Sequence, residues 1–295
     1  MRRGFAGLGF GAWVLSGCLG AGVGRAPVDG RFDVGGLALH LHCEGAGAPT
    51  VVFDSGLGRA GGEWFATAEA AGRTTAKRTR ACAYDRAGYG TSDPPIQPHS
   101  NRQMSRELFT LLDQAGERGP FVLVGHSMGG MNARLFLDEH PDSVAGLVLV
   151  DASPDPPPID RVTPEQRAEF ERGLAHFEGL DLPTLLAGFH ELDASKASLG
   201  DKPLVILVAG RLPDEALAEG IPDAARAAAR AELAARQTSQ QRLTTLSSNR
   251  ALVLADQAGH DIPKDAPQLL ARAIAAVVQS VRSGTPLDAT GLRGH

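Results

Sequence analysis

Apolar and polar positions change their period repeatedly along the chain, and the changes mark out elements. Residues 32–45, FDVGGLALHLHCEG, alternate around a Gly-Gly turn, as a half-exposed antiparallel hairpin does. Short β-branched runs follow at 50–56 (TVVFDSG) and 80–88 (RACAYDRAG), with an Ala-rich, helix-compatible stretch at 62–78 between them. Residues 101–116 have helical character, 121–127 (FVLVGHS) read as a strand, and 127–140 as a helix stopped by His140-Pro141. VAGLVLVDAS (144–153) is almost continuously apolar, as a parallel strand covered on both faces should be.

The alternation then breaks. A Pro-rich stretch and short amphipathic pieces fill 152–200, which predicts a lid inserted between two sheet strands. KPLVILVAG (202–210) resumes the sheet. An Ala/Arg/Glu helix near 214–236, the strand and loop NRALVLADQAGH (249–260) and a last helix at 264–281 complete it. Strands alternating with helices specify an α/β fold with a mostly parallel sheet and right-handed crossovers. The expected organisation is one domain at 31–282 carrying the lid, then a loose polar tail at 283–295.

Composition narrows the function classes. At 43% hydrophobic and 21% charged the chain is an ordinary globular one. Its net charge of −5, with no basic block, argues against a nucleic-acid partner. The first residues differ from the rest: Arg2 and Arg3 precede an apolar run too short to span a bilayer. That run ends in Leu15-Ser16-Gly17-Cys18, which resembles a bacterial lipobox. The expectation is a signal peptide over 1–17, a lipid attached at Cys18, a Gly-rich tether over 18–30, and a place at the membrane of the cell envelope. An ordinary secretory signal is the alternative, and the Arg pair only faintly resembles a twin-arginine signal.

The chemistry centres on Gly125-His126-Ser127-Met128-Gly129. A serine hydroxyl needs a base within hydrogen-bond reach and donors for the developing oxyanion. A tight strand–turn–helix exposes such a serine above the sheet, and small residues two before and two after it let the backbones crowd. The Met128 amide, at the start of a helix, suits an oxyanion donor, and the Gly-rich loop Asp54–Gly58 supplies the Leu57 amide as its partner. His260 follows the last strand, on the sheet edge that the serine shares.

Together, Asp54–Gly58, Asp85–Ser92, the Ser127 elbow and Gly259-His260 resemble the serine hydrolases of the α/β-hydrolase fold, over about residues 32–282. The family more often has His-Gly where this chain has Ser55-Gly56, and Asp85–Ser92 reads as scaffold around a turn. The resemblance implies ester hydrolysis by a Ser-His-Asp triad with no cofactor. Perhydrolysis, amide, lactone or thioester cleavage, or a silent ligand-binding role, are its alternatives. Serine in place of aspartate at the elbow argues against dehalogenase or epoxide-hydrolase chemistry.

The histidine requires a carboxylate. Asp214, beyond 202–210, lies where much of the family keeps its acid. Asp151, directly after 144–150, lies where subfamilies resembling the haloalkane dehalogenases keep theirs. A strand terminus fixes a side chain more tightly than a loop containing Pro213, so Asp151 is favoured and Asp214 is the alternative. In the fold's usual strand order Cys43 and Cys82 lie on neighbouring strands, so a disulfide between them is compatible with export. His40 and His42 share a strand face, but with no third ligand near they predict an exposed face and no metal. Leu174, Phe177, Leu182, Leu185, Leu186 and Phe189 of the lid are expected to pack on the sheet, the alternative being an acyl pocket for a small ester substrate.

Overall fold

A computed structural model describes Met1 and residues 25–96, 99–153, 155–156 and 162–292. Cys18 and residues 2–17 of the expected signal segment lie outside them. Eight strands form one sheet in the order β1-β2-β4-β3-β5-β6-β7-β8. They are β1 (Val28–Asp33), β2 (Ala38–Glu44), β3 (Val51–Asp54), β4 (Ala81–Tyr84), β5 (Phe121–His126), β6 (Val144–Val150), β7 (Leu204–Ala209) and β8 (Arg250–Ala255). β1 and β2 form the expected antiparallel hairpin, β2 runs antiparallel to β4, and from β4 to β8 every pairing is parallel. Every residue of β5 and β6 is buried, which explains their unbroken apolar runs.

The helices are α1 (Ala71–Ala76), α2 (Asn101–Gln114), α3 (Met128–Glu139), α4 (Pro164–Glu178), α5 (Leu182–Ala194), α6 (Asp214–Leu217), α7 (Asp223–Gln240), α8 (Ile262–Asp265) and α9 (Pro267–Ser283). On one face Leu108 and Leu111 of α2 and Phe136 of α3 pack with Leu123, Leu147 and Ile206. On the other, Trp64, Ile274 and Val277 pack with Phe53, Val124 and Val148. A sheet between two helical layers results. The continuous helices expected over 62–78 and 214–236 are each interrupted. The first is a 3-10 turn at Gly61–Phe65 followed by α1, and the second breaks where Gly220 turns at φ 80° and Pro222 precedes α7.

α4 and α5 are the lid helices between β6 and β7. Thr163 and Gln166 form a capping box at the start of α4, and Asp181 caps α5. Their apolar residues do not pack on the sheet. Leu174, Leu182, Leu185 and Phe189 are buried against Met104 of α2 and Met131 and Leu135 of α3, with Leu186 partly buried. The Phe177 side chain lies outside what the structure describes.

Both expected ends of the domain shift outward. Residues 25–30 are not a tether: Arg25 pairs with Glu117 at 2.8 Å, Ala26 accepts from Arg80, and β1 starts at Val28. Nor is 284–292 loose, since Leu292 is buried beside α9 and the Leu287 amide donates to Asn249 Oδ1. Cys43 and Cys82 face each other in register across β2 and β4 and are joined by a disulfide, with Cα atoms 4.1 Å apart. Among the described residues no helix is long and apolar enough to cross a membrane.

Candidate active site

The sheet itself assembles the site. His126 and Val150, the last residues of adjacent strands β5 and β6, are register partners, so the chain leaves both strands side by side. Ser127 turns into α3 with φ 53° and Asp151 turns away with φ 40°. Among the described residues these are the two non-glycine positions with positive φ. Such backbone persists where surrounding structure over-determines it. Here the Ser127 amide donates to Val150 O at 3.0 Å and the Asp151 amide to Leu207 O at 2.8 Å. The turn tolerates no larger neighbours. A Cβ on Gly125 would lie 2.4 Å from Gly129 O, and one on Gly129 2.3 Å from Asp54 O.

His260 closes the arrangement from the loop after β8. Its Nδ1 donates to Asp151 Oδ2 at 2.6 Å, and its Nε2 lies 3.0 Å from Ser127 Oγ. The proton on Nδ1 leaves Nε2 as the acceptor for the serine hydroxyl. Asp151 is fully buried. Burial alone would raise its pKa, but the hydrogen bond and charge of His260, the Ala209 amide and Arg236 together bring it down to about 2. Asp214, the alternative acid, is elsewhere: it begins α6 with its side chain 81% exposed and pairs with Arg211.

The carboxylate holds four donors. Asp151 Oδ1 accepts from the Ala209 amide at 3.0 Å and Gln240 Nε2 at 2.7 Å, while Oδ2 accepts from His260 and, at 3.1 Å, from Arg236. Gln240 and Arg236 come from one face of α7, a helix that reads in sequence as an Ala/Arg/Glu surface helix. Their four-residue spacing is the only trace of the role.

His126 braces the base loop. Its Nε2 donates to the His260 carbonyl at 2.9 Å, and its ring centroid lies 4.9 Å from that of His260. Burial, and then the neighbouring His260, push the His126 pKa down to about 4, so it is neutral near pH 7.

On the opposite side of Ser127, the loop 54–58 is shaped by Arg86. Its guanidinium donates to Asp54 Oδ1, to Ser55 O (both 2.6 Å) and to Gly56 O at 2.8 Å. Tyr84 also donates to Asp54, and Gly58 donates to Tyr89 Oη at 2.8 Å. Ser55 Oγ, where the resembling family more often has histidine, accepts from Trp64 Nε1. With the carbonyls turned toward Arg86, the Leu57 amide is bonded to no described residue, and neither is that of Met128 at the first position of α3. Asp85–Ser92 thus acts as scaffold: Asp85 itself accepts from the Gly61 amide and lies 3.1 Å from His40 Nδ1. His40 lies 2.7 Å from Asp29 Oδ1 and 3.1 Å from Asp85 Oδ2, and His42 lies 3.7 Å from Asp29 Oδ1 and 3.0 Å from Glu44 Oε1.

Cavity size does not mark the site. A groove of about 970 Å³ runs along α1 and α9, with none of these residues in its lining. A smaller cavity of about 320 Å³ adjoins the elbow, with Ser55, Gly56, Trp64 and His126 in its wall.

Residues 49–189 match the family model described as alpha/beta hydrolase fold. A solved structure of a putative epoxide hydrolase from Pseudomonas aeruginosa superposes with a TM-score of 0.62 at 16% identity, covering 87% of this chain and 97% of that one. The chain has the α/β-hydrolase fold. With that fold, the mostly parallel eight-stranded sheet with helices on both faces is as the sequence led one to expect. An uncharacterized protein of Bacillus subtilis, YqjL, is 24% identical over 84% of this chain and 91% of its own length. An uncharacterized vacuolar membrane protein of Saccharomyces cerevisiae is 39% identical over 77 residues, 26% of this chain; the match spans only 12% of that relative's length.

Proposed function

We propose that this α/β-hydrolase-fold protein is a serine hydrolase that cleaves carboxylic esters through an acyl-enzyme. The observation that carries the reading is the continuous chain from Ser127 Oγ through His260 to a buried, ionised Asp151, with links of 3.0 and 2.6 Å. His260 Nε2 takes the hydroxyl proton as Ser127 attacks the ester carbonyl. The developing oxyanion is met by the amides of Leu57 and Met128, the latter with the dipole of α3 behind it. Asp151 stabilises the imidazolium, which returns its proton to the leaving alkoxide. Water, activated by His260 in the same way, then releases the acid.

The epoxide chemistry in one structural neighbour's name does not carry over readily. The elbow bears a serine, whose acyl ester water can hydrolyse with the same base. The lid cluster reaches Leu57 and Met128, which supports an acyl group of apolar character. Export and lipid attachment at Cys18 belong to the proposal on the strength of the sequence alone. Nitrophenyl esters of graded chain length test the activity: wild type should turn them over and Ser127→Ala should not. Equal turnover by both would place the nucleophile elsewhere, and none by either together with no fluorophosphonate capture would leave a ligand-binding protein as the better reading. For the anchor, intact mass of the mature protein should give a diacylated chain beginning at Cys18; an unmodified cysteine there overturns it.

A further inference from the structure

β8 forms one edge of the sheet, and among the described residues no strand pairs with its open side. Natural edge strands usually carry lysine, proline or a bulge that discourages pairing. β8 carries none of these. Its sequence is Arg250-Ala-Leu-Val-Leu-Ala255, and Leu252 and Leu254 are 40% and 43% exposed although they neighbour the core.

The segment with its next residue, RALVLAD (250–256), reads the same in both directions about Val253, apart from its ends, which are opposite charges. The carbonyls of Asn249 and Ala255 accept from the amides of Leu204 in β7 and of Gly210 just after it, both at 3.0 Å. Alternation therefore turns the amides and carbonyls of the even-numbered residues 250, 252 and 254 to the open edge. The even-numbered side chains also share one sheet face.

We infer that β8 pairs antiparallel with β8 of a second copy of this chain, about a two-fold axis at Val253. Leu252 then lies opposite Leu254 of the other copy, in a hydrogen-bonded pair repeated by symmetry. Arg250 lies opposite Asp256, again twice. Both charged residues are exposed, and Arg250 donates to Ser247 O at 2.8 Å. A register two residues to either side would set Arg250 against Leu254 or Asp256 against Leu252, so both leucines and charges select this one. The interface is isologous, as a closed homodimer requires. Because the two strands run in opposite directions, the two Ser127 sites open at opposite edges of the joined sheet and remain accessible.

Sedimentation velocity on the full chain, from micromolar to hundreds of micromolar, tests this. Wild type should associate to a dimer. Arg250→Asp alone, or Asp256→Arg alone, places like charges opposite each other twice and should weaken the dimer at least about tenfold. The double swap Arg250→Asp with Asp256→Arg should restore it, and all variants should keep wild-type circular dichroism and per-chain activity. A wild type that stays monomeric throughout overturns the inference. So does a dimer that both single reversals leave unchanged, or one that the double swap fails to restore.

Discussion

The exits of β6 and β7 lie side by side on the same sheet edge, and each is followed by an aspartate, yet only one aspartate meets His260. Asp151 is the first residue past β6, gripped by the amide of Ala209, by Gln240 and by Arg236 before His260 arrives. Asp214 follows five residues after the end of β7, beyond Pro213, and its side chain reaches water and Arg211. The difference teaches that a strand terminus delivers a side chain with the rigidity of the sheet. A loop of a few residues delivers it wherever its own contacts allow.

The comparison is broken most severely at its shared target. Ser127→Ala should lower kcat for a nitrophenyl ester by on the order of 10⁵-fold, since no other hydroxyl can form the acyl-enzyme. Asp151→Asn should lower it by roughly 10³ to 10⁴-fold by upsetting the tautomer of His260. If Asp214→Asn matched that loss while Asp151→Asn retained activity, the assignment of the acid would be reversed.

A middle-sized effect separates the site's edge from the far side of the sheet. Breaking the Cys43–Cys82 link with the double Cys→Ser variant reopens a chain segment of sequence separation 39. Loop-closure entropy puts the cost at about 4 kcal/mol in denaturant unfolding. Because β3 lies between the bonded strands and the elbow strand β5, and neither cysteine bonds to a residue of the site, kcat should stay close to wild type. A kcat that fell with stability would show the two regions to be coupled.

The pH dependence of stability sharpens the picture of the elbow. His126 has a folded pKa depressed from 6.5 to about 4, so the unfolded chain binds more protons between those values. Stability is present in full above pH 6.5 and is lost as pH falls toward 4, by roughly 3 kcal/mol from this group. Asp151, depressed from 3.8 to about 2, adds a loss confined to the range below about pH 4. Chemical denaturation across this range should therefore show a slope between pH 6.5 and 4 that His126→Gln flattens; an unchanged slope would place the proton elsewhere. The smallest effect is Asp214→Asn, expected within about twofold of wild type in kcat/KM and within roughly 0.5 kcal/mol in stability.

Much of this is legible in the sequence. Ser127 announces itself because an elbow needs small residues at fixed offsets; Asp151 is favoured over Asp214 because it directly follows a strand, and the Cys43–Cys82 pair because the resembling fold's usual strand order sets their strands side by side. The supports were not legible. Gln240 and Arg236 reach Asp151 with long side chains from a helix whose pattern encodes only its own amphipathicity. Arg86 grips carbonyls, which leave no mark in sequence. At the ends, Arg25 is held by Glu117 and the Gly116 carbonyl and Leu292 by packing beside α9, long-range contacts in segments that composition reports as polar, Gly-rich chain.

The central claim is that the Asp151–His260 pair activates Ser127 as a nucleophile. Its most direct test is the rate of capture by a fluorophosphonate, followed by intact mass and mapped to a peptide. The account predicts one adduct per chain, on Ser127, formed rapidly by wild type and by Asp214→Asn and at least about a hundredfold more slowly by His260→Ala and Asp151→Asn. An adduct on another residue, or capture at Ser127 that ignores the loss of His260, would contradict it.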